Sequence, residues 1–147
     1  MRPDARGVEG LPLRLLIAGA VLLLVLPVVA SALAAHDLHR TEDRVRGEAA
    51  RALSLAGHLA LAGGGRGHLT LDLTSSALTA VASFRFVTAG ETGVAFYRLS
   101  GLEERSVVLP DLPARLSFGT EVELRLDPGV HDLVLEFRTG AVAVMRT

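Results

Sequence analysis

The chain has no cysteine, lysine or tryptophan, and only one tyrosine and five phenylalanines in 147 residues. Without cysteine there is no disulfide scaffold, no thiolate zinc site, no cysteine nucleophile and no lipid-modified cysteine. All 15 basic residues are arginine, which we read as a coding bias rather than a site. They stand against 16 acidic residues, for a net charge of −1. The basic excess of a nucleic-acid binder is missing, so no nucleic acid is expected as a partner. Charge is scarce overall, at 21% of residues, whereas half the chain is apolar and mean hydropathy is +0.41. That excludes a disordered chain and is greasy for a soluble domain. The length suits one domain with an appendage.

What is present divides into two unlike halves. Residues 1–67 hold eight arginines against six acids, and residues 68–147 hold seven against ten. Every phenylalanine and the tyrosine lie between Phe84 and Phe137, whereas the first half is built from Leu, Ala and Val. The shift marks a helix followed by strands. Between them stands Gly63-Gly64-Gly65-Arg66-Gly67, read as a hinge over 63–67 that neither a helix nor a central strand would tolerate.

Residues 15–35 carry no charge. As a helix they would span about 32 Å, the thickness of a bilayer core. Pro27 lies inside, where a membrane helix tolerates it as a kink. The helical pattern continues over 36–62. Leu38, Val45, Ala49, Ala52, Leu53, Ala56, Leu59 and Ala60 fall within about 60° of one direction. Arg40, Arg44, Arg51, Ser54 and His58 fall on the far side. Arg44 with Glu48, and Glu42 with Arg46, are spaced for i,i+4 ion pairs. Gly47 costs about 1 kcal/mol relative to alanine. One helix over 11–62 is predicted, about 78 Å long, greasy all round at first and then amphipathic.

The amphipathic half needs a cover, and 68–147 supplies it. Leu69, Leu71 and Leu73 alternate with polar residues, as do Val122, Leu124 and Leu126, and then Leu133, Leu135 and Phe137. This is the period of a half-buried strand. Further strands are predicted near 81–88, 93–99, 105–109, 114–118 and 141–146, separated by turn sequences such as Asp127-Pro128-Gly129. The predicted fold is α+β: a long kinked hydrophobic helix packed on a small antiparallel β-sandwich.

The N-terminus admits three readings. A secretory signal peptide would end at Ala32-Leu33-Ala34, before Ala35. An uncut anchor would keep Met1. The third reading rests on Arg6-Gly7-Val8-Glu9-Gly10-Leu11-Pro12-Leu13-Arg14. This stretch resembles the leader junction of archaeal type IV pilin-like proteins. His36 to Asp43, and then Leu59-Ala60-Leu61-Ala62-Gly63, are similar to small members of that family. The layout of the whole chain matches a pilin-like fold. The resemblance implies a leader with its processing junction over 1–14. A prepilin-type peptidase would read Arg6 and Gly7 and cut after Gly7, making Val8 the new N-terminus, with Glu9 beside it. The chain departs from bacterial pilins in placing Pro12, not glutamate, at the fifth mature position. Arginines flank the run on both sides, at Arg2, Arg6 and Arg14 and again at Arg40, Arg44, Arg46 and Arg51, so charge does not orient it. The resemblance implies a cytoplasmic N-terminus and an extracellular β domain.

Chemical sites are sparse. His36 and His39 lie one turn apart with Asp43 beyond, but without the Glu of H-E-x-x-H, so they read as a polar collar rather than a metal site. His58, His68 and His131 are isolated, and His131, following a turn, is expected at the surface. No G-x-S-x-G elbow occurs, and Gly63-Gly64-Gly65 lacks the Lys-Ser/Thr of a phosphate loop. Glu103-Glu104 reads as a solvated pair. Phe84, Phe86, Phe96 and Tyr97 would form either an exposed binding strip or, by their alternation, core. No catalytic residue, cofactor or metal is expected. The expected function is a non-enzymatic pilin-like subunit, held by its helix in the lipid bilayer and joined to neighbouring subunits through that helix. The alternative is an anchored or secreted β-sandwich binding module for a protein or glycan.

Overall fold

The computed structural model describes residues 6–147, with side-chain surroundings given from residue 13 onward. The described chain consists of α1 (Arg6–Ala62) followed by β1 (Arg66–Asp72), β2 (Val81–Ala89), β3 (Thr92–Leu99), β4 (Arg105–Val108), β5 (Leu116–Ser117), β6 (Glu123–Leu126), β7 (Val130–Arg138) and β8 (Ala141–Arg146). It divides into two units, Met1–His36 and Asp37–Thr147. The α+β class expected from the sequence is the class observed.

In the first unit α1 begins at Arg6, five residues ahead of the predicted start, and the helix runs unbroken through Pro27. From Leu13 to Leu33 the large apolar side chains are exposed, up to 77% at Leu23. Within the uncharged run 15–35 the one hydroxyl, on Ser31, donates to the Val28 carbonyl at 2.9 Å, so no side-chain polar group in that run needs water.

In the second unit α1 ends in a Schellman cap. Gly63 sits at φ +65°, its N–H reaching the Ala60 carbonyl at 3.1 Å while the Gly64 N–H reaches that of Leu59 at 3.3 Å. The glycine stretch is therefore a stop and a reversal. It is also shorter than 63–67, because Arg66 and Gly67 already belong to β1. Gly67 is tolerated there because β1 is an edge strand lying against the helix. A Cβ on Gly67 would stand 3.0 Å from a Leu55 methyl.

Two four-stranded sheets follow, ordered β1-β7-β8-β5 and β4-β3-β2-β6. Every pairing is antiparallel except β5 with β8, which is parallel, so the sandwich is not wholly antiparallel as expected. Of the predicted 114–118 strand, only Leu116 and Ser117 pair with β8, on a segment that crosses over from the sheet of β4. The predicted 121–126 strand also shortens. Val122 is 85% exposed in the turn before β6, closed by the Phe118–Glu121 bridge.

The core is one cluster shared by the helix and both sheets. Val45, Ala49, Ala52, Leu53 and Ala56 are buried along the predicted stripe, with Leu38, Leu59 and Ala60 packed at its ends. Phe84 and Phe86 meet edge to face at 5.1 Å within it. A void of about 10 Å³, lined only by apolar side chains and so dry, marks where Ala52, Leu53 and Ala56 meet Phe86, Leu116 and Leu135.

Candidate functional site

The four junction residues Arg6, Gly7, Val8 and Glu9 form the first turn of α1. Their side chains lie outside the described residues, as do leader residues 1–5. The stretch behind them is long and apolar enough to anchor the protein in a membrane, with a mean hydropathy of 2.7 over its most apolar window.

The second candidate surface is the seam between α1 and β1. After the Gly63 reversal, β1 runs back along the helix. Close approaches step along both elements: Leu59 with Gly65, Leu55 with Gly67, Arg51 with Thr70, Arg44 with Thr74, and Asp37 with Ser76. From 59 to 37 a helix advances about 33 Å, and from 65 to 76 a strand advances about 36 Å, so the two stay in step. Arg51 Nη2 donates to the Thr70 carbonyl at 2.6 Å, and Arg44 Nη2 donates to that of Thr74. Both arginines lie on the face away from the apolar stripe, as expected, and Arg51 stays exposed. They also curl onto the edge of the sheet, which helix periodicity does not reveal because the reach of an arginine exceeds its own face. The predicted i,i+4 pairs do not form. Glu42 pairs with Arg105 on β4 and accepts from Tyr97 Oη at 3.4 Å, Arg44 lies 3.9 Å from Asp72, and Glu48 takes Arg51 at 3.4 Å. For Glu42 and Arg44 tertiary partners win because they tie the helix to both sheets, whereas Glu48 pairs within the helix at i,i+3.

The outer face of the second sheet carries a third arrangement. Arg85 on β2 reaches Glu104 and Glu123 at 2.9 Å each and lies 4.9 Å above the Phe96 ring. The two carboxylates raise the pKa of the Arg85 guanidinium, and Arg85 with Arg125 lowers that of Glu123. Glu104 is thus ion-paired rather than simply solvated. Beside this network runs an open groove of about 460 Å³ lined by Arg85, Arg98, Glu104 and Arg125. Of the four aromatic candidates, Phe84, Phe86 and Tyr97 are core and Phe96 is half-buried on the outer face. Burial raises the pKa of the Tyr97 phenol.

The histidines divide unexpectedly. His36, His39, His58 and His68 are exposed, but His131 is 5% exposed, contrary to expectation. It lies on the inner side of β7, where its Nε2 bonds the Asp127 carbonyl at 2.6 Å across the turn and its Nδ1 is buried without a partner. Ser76 with Asp37, Thr70 with Asp132 and Thr74 with Asp72 are hydroxyl–carboxylate contacts that no histidine joins among the described residues. No group of three or more His, Asp or Glu is placed to hold a metal ion among the described residues. Comparison with protein-family models, curated proteins and solved structures finds no match to this chain.

Proposed function

We propose that the protein is a non-enzymatic pilin-like subunit. It is held in the membrane by residues 15–35 with its N-terminus cytoplasmic and its β domain outside, and it is drawn into a filament or its accessory complex when neighbouring helices replace lipid. The observation that carries this reading is one helix with two environments. Its apolar head leaves thirteen large side chains between Leu13 and Leu33 exposed, while its tail is sealed into a β core. At about 1.5 kcal/mol or more for each such side chain, on the order of 20 kcal/mol of burial is left for lipid or like helices to supply. The processing junction fits the same reading. Gly7 and Gly10 each weaken the first turns of α1 by about 1 kcal/mol relative to alanine, which favours their opening in a peptidase.

N-terminal sequencing of the mature protein tests this. Cleavage after Gly7, giving Val8 as the first residue, is expected, and Gly7→Leu should leave the chain unprocessed. An N-terminus at Ala35 would instead define a secreted domain, and one at Met1 an uncut anchor; either would refute the subunit reading. The alternative, a binding module for a protein or glycan, is favoured by the charged groove beside Arg85 and by the separate core of Asp37–Thr147.

A further inference from the structure

β1 is an edge strand, so one of its sides has no strand partner among the described residues. Which backbone groups face that side follows from the ladder. Leu73 exchanges both backbone bonds with Gly129, at 2.8 and 3.2 Å, and the Phe137 N–H donates to the Gly65 carbonyl at 3.0 Å. Bonded pairs recur every second residue in an antiparallel ladder. Residues 65, 67, 69, 71 and 73 therefore turn their backbone toward β7, and 66, 68, 70, 72 and 74 turn theirs outward. Three of those outward groups are occupied. Arg51 takes the Thr70 carbonyl, Arg44 takes the Thr74 carbonyl, and the Asp72 carboxylate takes the Thr74 N–H at 3.0 Å. The two arginines are seven residues apart, two helical turns or about 10.5 Å, which brings both guanidinia onto one strand edge.

We infer that Arg44 and Arg51 are guards that keep the outward edge of β1 closed to strand addition by a second copy of this chain. An open edge presents unpaired N–H and C=O groups to any other strand. Two copies of β1 are self-complementary when antiparallel, with the outward groups of His68 and Thr70 facing their counterparts across a two-fold axis. Such a pair needs the Thr70 carbonyl that Arg51 holds in each copy, and Arg44 on the Thr74 carbonyl keeps the end of that edge covered. Asp72 at 3.9 Å from Arg44 and Glu48 at 3.4 Å from Arg51 keep the guanidinia in place. The inference does not depend on whether the chain forms a filament.

The test uses the full chain in detergent micelles. Because the chain has no cysteine, His68→Cys makes a single reporter on the exposed edge, read by dimer yield with a short bismaleimide. Adding Arg44→Met and Arg51→Met removes the donors and keeps the aliphatic stems. Dimer yield should rise about tenfold, the factor two freed backbone acceptors carry when they bond a new strand. Thr70→Pro in that background removes an outward N–H and no backbone bond to β7, so it should return the yield to the starting level. Its one loss on the β7 side is the exposed hydroxyl bond to Asp132, which Thr70→Val removes alone as the control. Arg51→Lys alone keeps a donor and should not raise it. An unchanged yield in the double variant, with Tyr97 still buried by its fluorescence, overturns the inference. So does a rise that Thr70→Pro fails to reverse. If the double variant loses its fold, Arg51→Met alone carries the same comparison.

Discussion

Two glycines of α1, Gly47 and Gly57, should respond in opposite ways to the same substitution. Both lie within the helix, where alanine is intrinsically better by about 1 kcal/mol. Gly47 is exposed, and a Cβ there meets nothing within 4 Å. Gly57 is buried, and a Cβ there would stand 2.7 Å from Leu112 Cβ and 3.0 Å from its carbonyl oxygen. Those atoms cannot swing aside like the end of a side chain. They belong to a turn closed by the Leu112 N–H on the Leu109 carbonyl at 3.2 Å, so the backbone itself must move. Because backbone must give, the cost lies in the upper part of the usual overpacking range, about 2–3 kcal/mol. Gly47→Ala should therefore stabilise by about 1 kcal/mol, the full helix propensity. Gly57→Ala should destabilise by about 1–2 kcal/mol once the clash is set against that gain. The melting temperatures of the two variants should differ by roughly 8–12 °C. Tyr97 reports the transition, since it is the only tyrosine, is buried in the core, and has no tryptophan to mask it. If Gly57→Ala melts at or above the parent, the 109–114 turn does not press on the helix as described. If Gly47→Ala melts below it, the exposed face of the helix has an undetected partner.

Leu53→Ala should cost about 2–5 kcal/mol in the same melt, because Leu53 is 4% exposed and lines the void where helix and both sheets meet. A loss under 1 kcal/mol would mean the helix tail is not sealed into the core. Thr139 holds φ +45° at the first position of the two-residue β7–β8 turn, with Gly140 at +83°. Thr139→Gly should therefore stabilise by about 1 kcal/mol in urea unfolding, and a destabilised variant would refute the strain. Acid should weaken the fold. Thr74, through its hydroxyl and N–H, and then Arg44 hold the Asp72 carboxyl below its usual 3.8, while Arg85 with Arg125, and Arg138, hold Glu123 and Glu136 below 4.5. Groups depressed in the folded state lend stability that is complete above those ordinary values and is lost as pH falls through the lower, folded ones. The urea midpoint should hold between pH 6 and pH 5 as far as these groups act, then drop below pH 4, less steeply in Asp72→Asn. A midpoint that rises on acidification would contradict this assignment.

Local pattern carried much of the architecture. The uncharged run over 15–35, the stripe from Val45 to Ala56 and the strand alternations place helix, core face and strands within a few residues of where they lie. Where reading failed, the deciding partner was distant in the chain. Val122 keeps the alternation of β6 yet is expelled by the Phe118–Glu121 bridge. His131 follows a turn like a surface residue, but its register opposite Leu71 turns it inward. Arg44 and Arg51 belong to the polar face by angle and to the β1 edge by reach. The seam they form was not legible, because nothing in residues 36–62 says that the next strand returns along the helix in step.

The amino-acid order alone determined the bilayer-length apolar run, the helix stripe and the two-residue period of the strands, since each depends on composition and spacing within one element. Only the tertiary structure decided that β5 joins β8 in parallel, that His131 is interior and that two helix arginines close a sheet edge. Those outcomes follow from chain reversals and side-chain reach that bring together groups 19 to 30 residues apart or more. No local periodicity encodes such distances.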